Sequence, residues 1–262
     1  MYAELSRRDT RQRVVAGQVS LLWPLLLFTL GDIALSLIGE ALKTRLVWYM
    51  RTTDLIDLAA LAPLYLVSLI MFHEAFLARG GAAWLRRAFL ALAMIFMYGH
   101  AMHVTANAVN TFSTEIRSYG GVIPADAYAL LYFFDETLSH WIVFLARFGL
   151  FACLFELAAA RPTEAERAHA LWPGLALGAL YGIWQAIVFT EGQKAPLAPI
   201  LALALGGLWA WRYHASKSSL AGFLRGEPIR AFVAGLVPSM LLGLGLYALV
   251  AGGFVEPSKL GV

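Results

Sequence analysis

His100, His103, His140, Asp135 and Glu136 are imidazoles and carboxylates, the side chains that ligate transition metals and move protons, and they fall inside two neighbouring apolar stretches. Ionisable groups at bilayer depth are costly, so they mark a cavity, a partner or a pathway. Neutral imidazole and carboxylate make up the donor set of zinc, iron, manganese and copper. Three His with one or two carboxylates suit a divalent metal, zinc or iron in the first place and copper after them. A carboxylate not used as ligand could act as general base on a metal-bound water. Asp135 or Glu136 could fill that role, and the spacing does not choose between them. Glu136 and His140 are separated by three residues, so the Glu-x-x-His motif of di-metal helix bundles is absent.

Spacing gathers these residues on helical faces. His100, His103, Asn107 and Asn110 stand at i, i+3, i+7 and i+10, one stripe of an α-helix. Tyr132, Glu136 and His140 follow at successive i+4 intervals, with Asp135 on their flank. The loop between the two stretches carries Gly120, Gly121 and Pro124 and is short, which predicts antiparallel neighbours with facing stripes. Asn107, Asn110, Thr105 and Ser139 are expected to serve as hydrogen-bonding glue between helices, with Asn107 beside the ligands. Asp32, Tyr132 and Gln185 are expected to complete the cavity. For Asp32, a hydrogen bond to a ligand His or a protonated carboxyl bonded to a neighbouring helix are equal alternatives. Glu74 and Arg147 fall at similar depth, which predicts a structural ion pair.

The elements that must hold this cluster are read from composition. Of 262 residues, 60% are hydrophobic and 14% charged, against about 25% charged in a soluble domain. The chain is therefore expected to be an all-α polytopic membrane protein. Spans of about 20 residues can be placed at 17–39, 55–78, 85–111, 125–158, 169–190, 196–213 and 230–254, seven helices in one domain. The fourth is longer than a bilayer needs and is expected to tilt, kink near Gly149 or project. With the N-terminus inside, the cytoplasmic side receives thirteen Lys and Arg and the outer side six, Arg147 lying within a span, so N-in and C-out follows. Trp23, Trp84 and Trp211 sit near the expected interfaces, and Thr163 with Glu166 has capping-box spacing before the fifth span. The expected location is the cytoplasmic membrane of a bacterium or archaeon. Membrane lipids and a lipid-soluble small molecule are the expected partners, and the net charge of +3 reports topology rather than nucleic-acid binding. Cys153 is a lone cysteine in a span, which excludes a disulfide framework and a Cys-based metal motif.

Depth places the cluster in the outer half of the membrane. His100 is thirteen residues from Arg87, about 20 Å of helix, and Asp135 and Glu136 are about 14 Å in from the outer start of the fourth span. The expected activity is hydrolysis or oxidation of a lipid-soluble or membrane-proximal substrate by a metal-dependent enzyme. Two alternatives use the same residues: a proton or cation transporter, and a b-type haem held between two histidines, for which adjacent carboxylates are unusual. Against transport, no internal repeat or pair of interrupted helices is visible.

Seven spans with an intramembrane His and Asp set resemble alkaline ceramidases and the related progestin and adiponectin receptor group, a resemblance that implies a zinc-dependent amidase acting on lipid. Those families carry an HxxxH pair on the last helix, and residues 230–254 hold no His. His103-x-x-x-Asn107 looks like a rhomboid protease pattern, but no GxSG nucleophile exists in the chain, and the seventh span lacks the lysine of a retinal protein.

Overall fold

The computed structural model describes residues 20–42, 50–160 and 171–254. The N-terminal arginines, Thr163, Glu166 and His169 lie outside the described residues. Every regular element among the described residues is helical, as lipid demands of a chain that must satisfy its backbone within each segment. The elements are α1 (Leu22–Ala41), a second rod made of α2 (Thr52–Ile56), a π turn π1 (Asp57–Leu61) and α3 (Ala62–Ala78), then α4 (Ala83–Ser118). A fourth rod follows as α5 (Ala125–Tyr132), a second π turn π2 (Phe133–Leu138) and α6 (Ser139–Ala160). The rest are α7 (Leu171–Glu191), α8 (Leu197–Ser216), α9 (Leu220–Arg225) and α10 (Pro228–Ala251).

Six helices among the described residues are long and apolar enough to cross a membrane: α1, the second rod, α4, the fourth rod, α7 and α10. The expected sixth of seven spans appears as α8, which is 20 residues long but is not one of these six. Trp209, Trp211, Arg212, Tyr213 and His214 make its last two turns too polar. Two rods exceed the need of a bilayer. At 36 residues α4 is about 54 Å long, against a hydrocarbon core of about 30 Å. The fourth rod is irregular at π2, not at Gly149: α6 runs unbroken past that glycine, whose missing side chain admits Leu92. Trp23, Trp84 and Trp211 are all exposed.

Aromatic rings fill the centre of the bundle. Phe28, Phe72, Phe89, Phe96, Phe144, Phe151, Phe155, Phe189 and Phe232 are buried, most meeting other rings edge-on or tilted, with Phe144 stacked on Phe189. The closest helix pair is α7 with α10. Gly174, Gly178 and Gly182 recur every fourth residue on α7 and face the backbone of α10 at Pro228, Phe232 and Leu236, while Gly235 of α10 faces the backbone of α7 at Leu175 and Ala179. A Cβ at Gly178 would collide with the Phe232 carbonyl oxygen, and one at Gly174 would lie 2.7 Å from the Pro228 carbonyl oxygen. The backbones touch because nothing larger than hydrogen separates them.

At the end of the bundle remote from the α4–α5 turn, buried charges are paired. Arg79 at the end of α3 donates to Glu227 at 3.0 Å, both side chains almost fully enclosed. Arg230 donates to the Ala158 carbonyl at 2.9 Å, and Arg212 grips Glu156 with both Nε and a terminal nitrogen. Pairing is what allows such groups inside the protein.

Candidate functional site

The α4–α5 end has a different polar population. α4 carries His100, His103, Asn107 and Asn110 along one stripe, as the spacing requires, but the stripe meets two walls rather than one. Asn107 Nδ2 donates to Asp54 of α2 at 2.8 Å, whereas Asn110 Nδ2 donates to Asp135 of π2 at 3.2 Å. Both walls contain a π turn, a widening of the helix that recurs at functional sites. The His100 ring faces the backbone of Asp57, the first residue of π1, and Asp57 itself lies within electrostatic reach of His103 and Asp54.

Within the second π turn Asp135 is enclosed, at 1% exposure, while Glu136 stays 26% exposed. His103 Nδ1 lies 3.3 Å from Asp135 Oδ1, within ion-pair distance but not aligned as a hydrogen bond, and each atom is otherwise without a partner. His140 Nδ1 is 3.0 Å from the Glu136 carbonyl oxygen and 3.8 Å from its carboxylate. The His103 and His140 rings approach with centroids 4.8 Å apart. On its other side His140 stacks on Phe144, which stacks on Phe189. His100 is 7% exposed, and its Nε2 is buried with no hydrogen-bond partner.

Tyr132 does not join this cluster. It is exposed, and its hydroxyl accepts from Gln193 Nε2 at 2.7 Å in the turn between α7 and α8. That turn borders the cluster, since a Cβ on Gly192 would lie 3.3 Å from the His140 ring. Next along it, burial pulls the Lys194 ammonium below its ordinary range, and the Glu136 carboxylate opposes the pull.

Asp32 and Gln185 belong to a separate network deeper in the bundle. Asp32 Oδ1 accepts from Tyr65 and Oδ2 from Tyr181, each at 2.6 Å, and Arg147 NH1 lies 3.4 Å from Oδ2. Arg147 also donates to Gln185 Oε1 at 3.0 Å and to the Tyr65 hydroxyl at 3.3 Å. The partner of Arg147 is therefore Asp32, not Glu74, which lies exposed on α3. Four rods meet at this clasp. It meets the His cluster through the Tyr65 ring, edge-on to His100 with centroids 5.2 Å apart.

Of the five expected ligands, His103 with Asp135 and His140 with Glu136 are brought together, and His100 lies against the same stripe. Among the described residues, however, no group of three or more His, Cys, Asp or Glu side chains stands ready to hold a metal ion. The five form a neighbourhood, not a finished coordination sphere.

Asp54, Asp57, Tyr65 and Tyr181 were not singled out by sequence reasoning. Asp54 and Asp57 stand at i and i+3 where the second span begins, so they pass for interfacial residues. Their one signal is that this spacing matches the periodicity of the His stripe. The two tyrosines pass for apolar core. No family model, no curated protein and no solved structure matches the chain.

Proposed function

We propose that the protein is a multi-pass membrane protein, N-in and C-out, in which α8 is the sixth of seven spans and the His cluster lies in the outer half of the bilayer. In this reading the cluster binds one divalent metal, zinc or iron, through His100, His103 and His140, and the protein acts as a hydrolase or oxidoreductase on a lipid-soluble or membrane-proximal substrate. The observation that carries it is the buried, partnerless Nε2 of His100 in a cluster where the other two imidazoles touch. A polar atom without a partner inside a protein calls for a guest, and imidazoles with a carboxylate close by are a donor set that suits a metal ion. Modest rotation of His103 and His140 would be needed to bring their free nitrogens toward His100.

Bound there, the metal would supply Lewis acidity toward a carbonyl oxygen or a water. The chain's own residues have separable tasks. Glu136 and His103 are the accessible members, at 26% and 29% side-chain exposure, so they meet a substrate first. Glu136 is the general base of this reading, taking the proton on its carboxylate. Phe144 and Phe189 wall His140 against water.

A proton-relay reading rests on one contact, that of Tyr65 with His100, which brings the outer cluster next to the Asp32–Arg147 clasp. Asp32 is less suited to pass protons because Tyr65, Tyr181 and Arg147 already occupy its oxygens. Elemental analysis and an absorption spectrum of protein purified without chelator separate the readings. About one zinc or iron per chain, lost in His100→Ala, is expected; a Soret band would mean haem, and no metal would sink the enzyme reading.

A further inference from the structure

Each of the three imidazoles meets an acceptor supplied by a π turn. His140 Nδ1 lies 3.0 Å from the Glu136 carbonyl oxygen, in π2. His103 Nδ1 lies 3.3 Å from Asp135 Oδ1, also in π2. The His100 ring faces the backbone of Asp57, the first residue of π1, while its Nε2 is buried with no hydrogen-bond partner. The two π turns therefore supply an acceptor to each of the three rings.

We infer that the two π turns set the tautomer of all three histidines, holding His100, His103 and His140 with the proton on Nδ1 and the lone pair on Nε2, and that Asp135 is a positioning residue for His103 rather than a ligand. The physical reason is general. A neutral imidazole has one N–H and one lone pair, and an acceptor at Nδ1 fixes the proton there, so Nε2 becomes the donor atom available to a metal. Carbonyl oxygens cannot take the opposite role, since they offer no proton to Nδ1. Within π2 the Asp135 carboxylate is enclosed and reaches both His103 and Asn110.

This inference divides the roles that sequence leaves shared between the two carboxylates. Asp135, enclosed and engaged by His103 and Asn110, orients a ring. Glu136, partly exposed, is left for chemistry. It rests on the metal-site reading for its consequence but not for its test.

Nitrogen-15 magnetic resonance of the metal-free protein in bilayers, labelled at its six histidines, reads the tautomers directly. Single His→Gln variants assign the signals. Protonated Nδ1 and unprotonated Nε2 are expected at His100, His103 and His140, and a protonated Nε2 at any of them in the neutral ring overturns the inference. Asp135→Leu removes one acceptor, so His103 alone should gain the Nε2–H form, and zinc affinity should fall about 10- to 100-fold. Asp135→Asn keeps an acceptor oxygen and should restore both the tautomer and most of the affinity. Loss of all zinc in Asp135→Asn would make Asp135 a ligand and overturn its positioning role. Correct tautomers without zinc binding would instead defeat the metal-site reading and leave this one standing.

Discussion

Replacing Arg147 with Met is expected to destabilise the protein by about 3–5 kcal/mol, because it leaves a carboxylate buried without its cation. Asp32 is 4% exposed and is held by Tyr65, Tyr181 and Arg147. The two tyrosine hydroxyls can still donate to it, but they carry no compensating charge. Arg147 also leaves Gln185 Oε1 without its donor. The double variant Asp32→Asn with Arg147→Met removes both charges and should recover more than half of the loss, since a buried pair contributes little beyond what apolar packing can replace. Thermal unfolding in detergent measures both. An Arg147→Met protein within about 1 kcal/mol of wild type would refute the clasp, because breaking a buried pair from one side costs several times that.

The second large effect is steric. Gly178→Ala should cost about 3 kcal/mol, the upper range for overpacking, since the neighbour it strikes is the backbone of α10 and not a movable side chain. The two helices would have to separate along the whole Gly174–Gly182 face. Gly207→Ala, on α8, is the matched control: nothing lies within 4 Å of a Cβ there, and helix propensity predicts a gain of about 0.5–1 kcal/mol. Unfolding in graded detergent mixtures ranks the two variants against wild type. Equal stability of Gly178→Ala and Gly207→Ala would show that α7 and α10 are not in backbone contact.

Much of this architecture is legible in the chain. Apolar runs give the helices, and the i, i+3, i+7, i+10 spacing gives the α4 stripe, because a regular helix converts spacing into direction. What spacing cannot convey is where a helix stops being regular. Asp135, within π2, is enclosed and Tyr132, just before it, is exposed, and no sequence rule marks that turn. The same holds for π1, which delivers Asp57 to His100 and His103. The partner of Arg147 was missed for another reason. Depth alone made Glu74 a match, but depth carries no azimuth, and Asp32 faces Arg147 with two tyrosines that read as ordinary apolar filling. The span count turned on α8, whose length suffices while its aromatic and charged end does not.

We propose that three histidines from two rods, beside two π turns, bind a metal. Calorimetric titration of zinc into metal-stripped protein tests it most directly, with the His100→Ala, His103→Ala, His140→Ala triple variant titrated alongside. One zinc per chain for wild type and none for the triple variant is the expected result. No binding to wild type, or equal binding to both proteins, would contradict it.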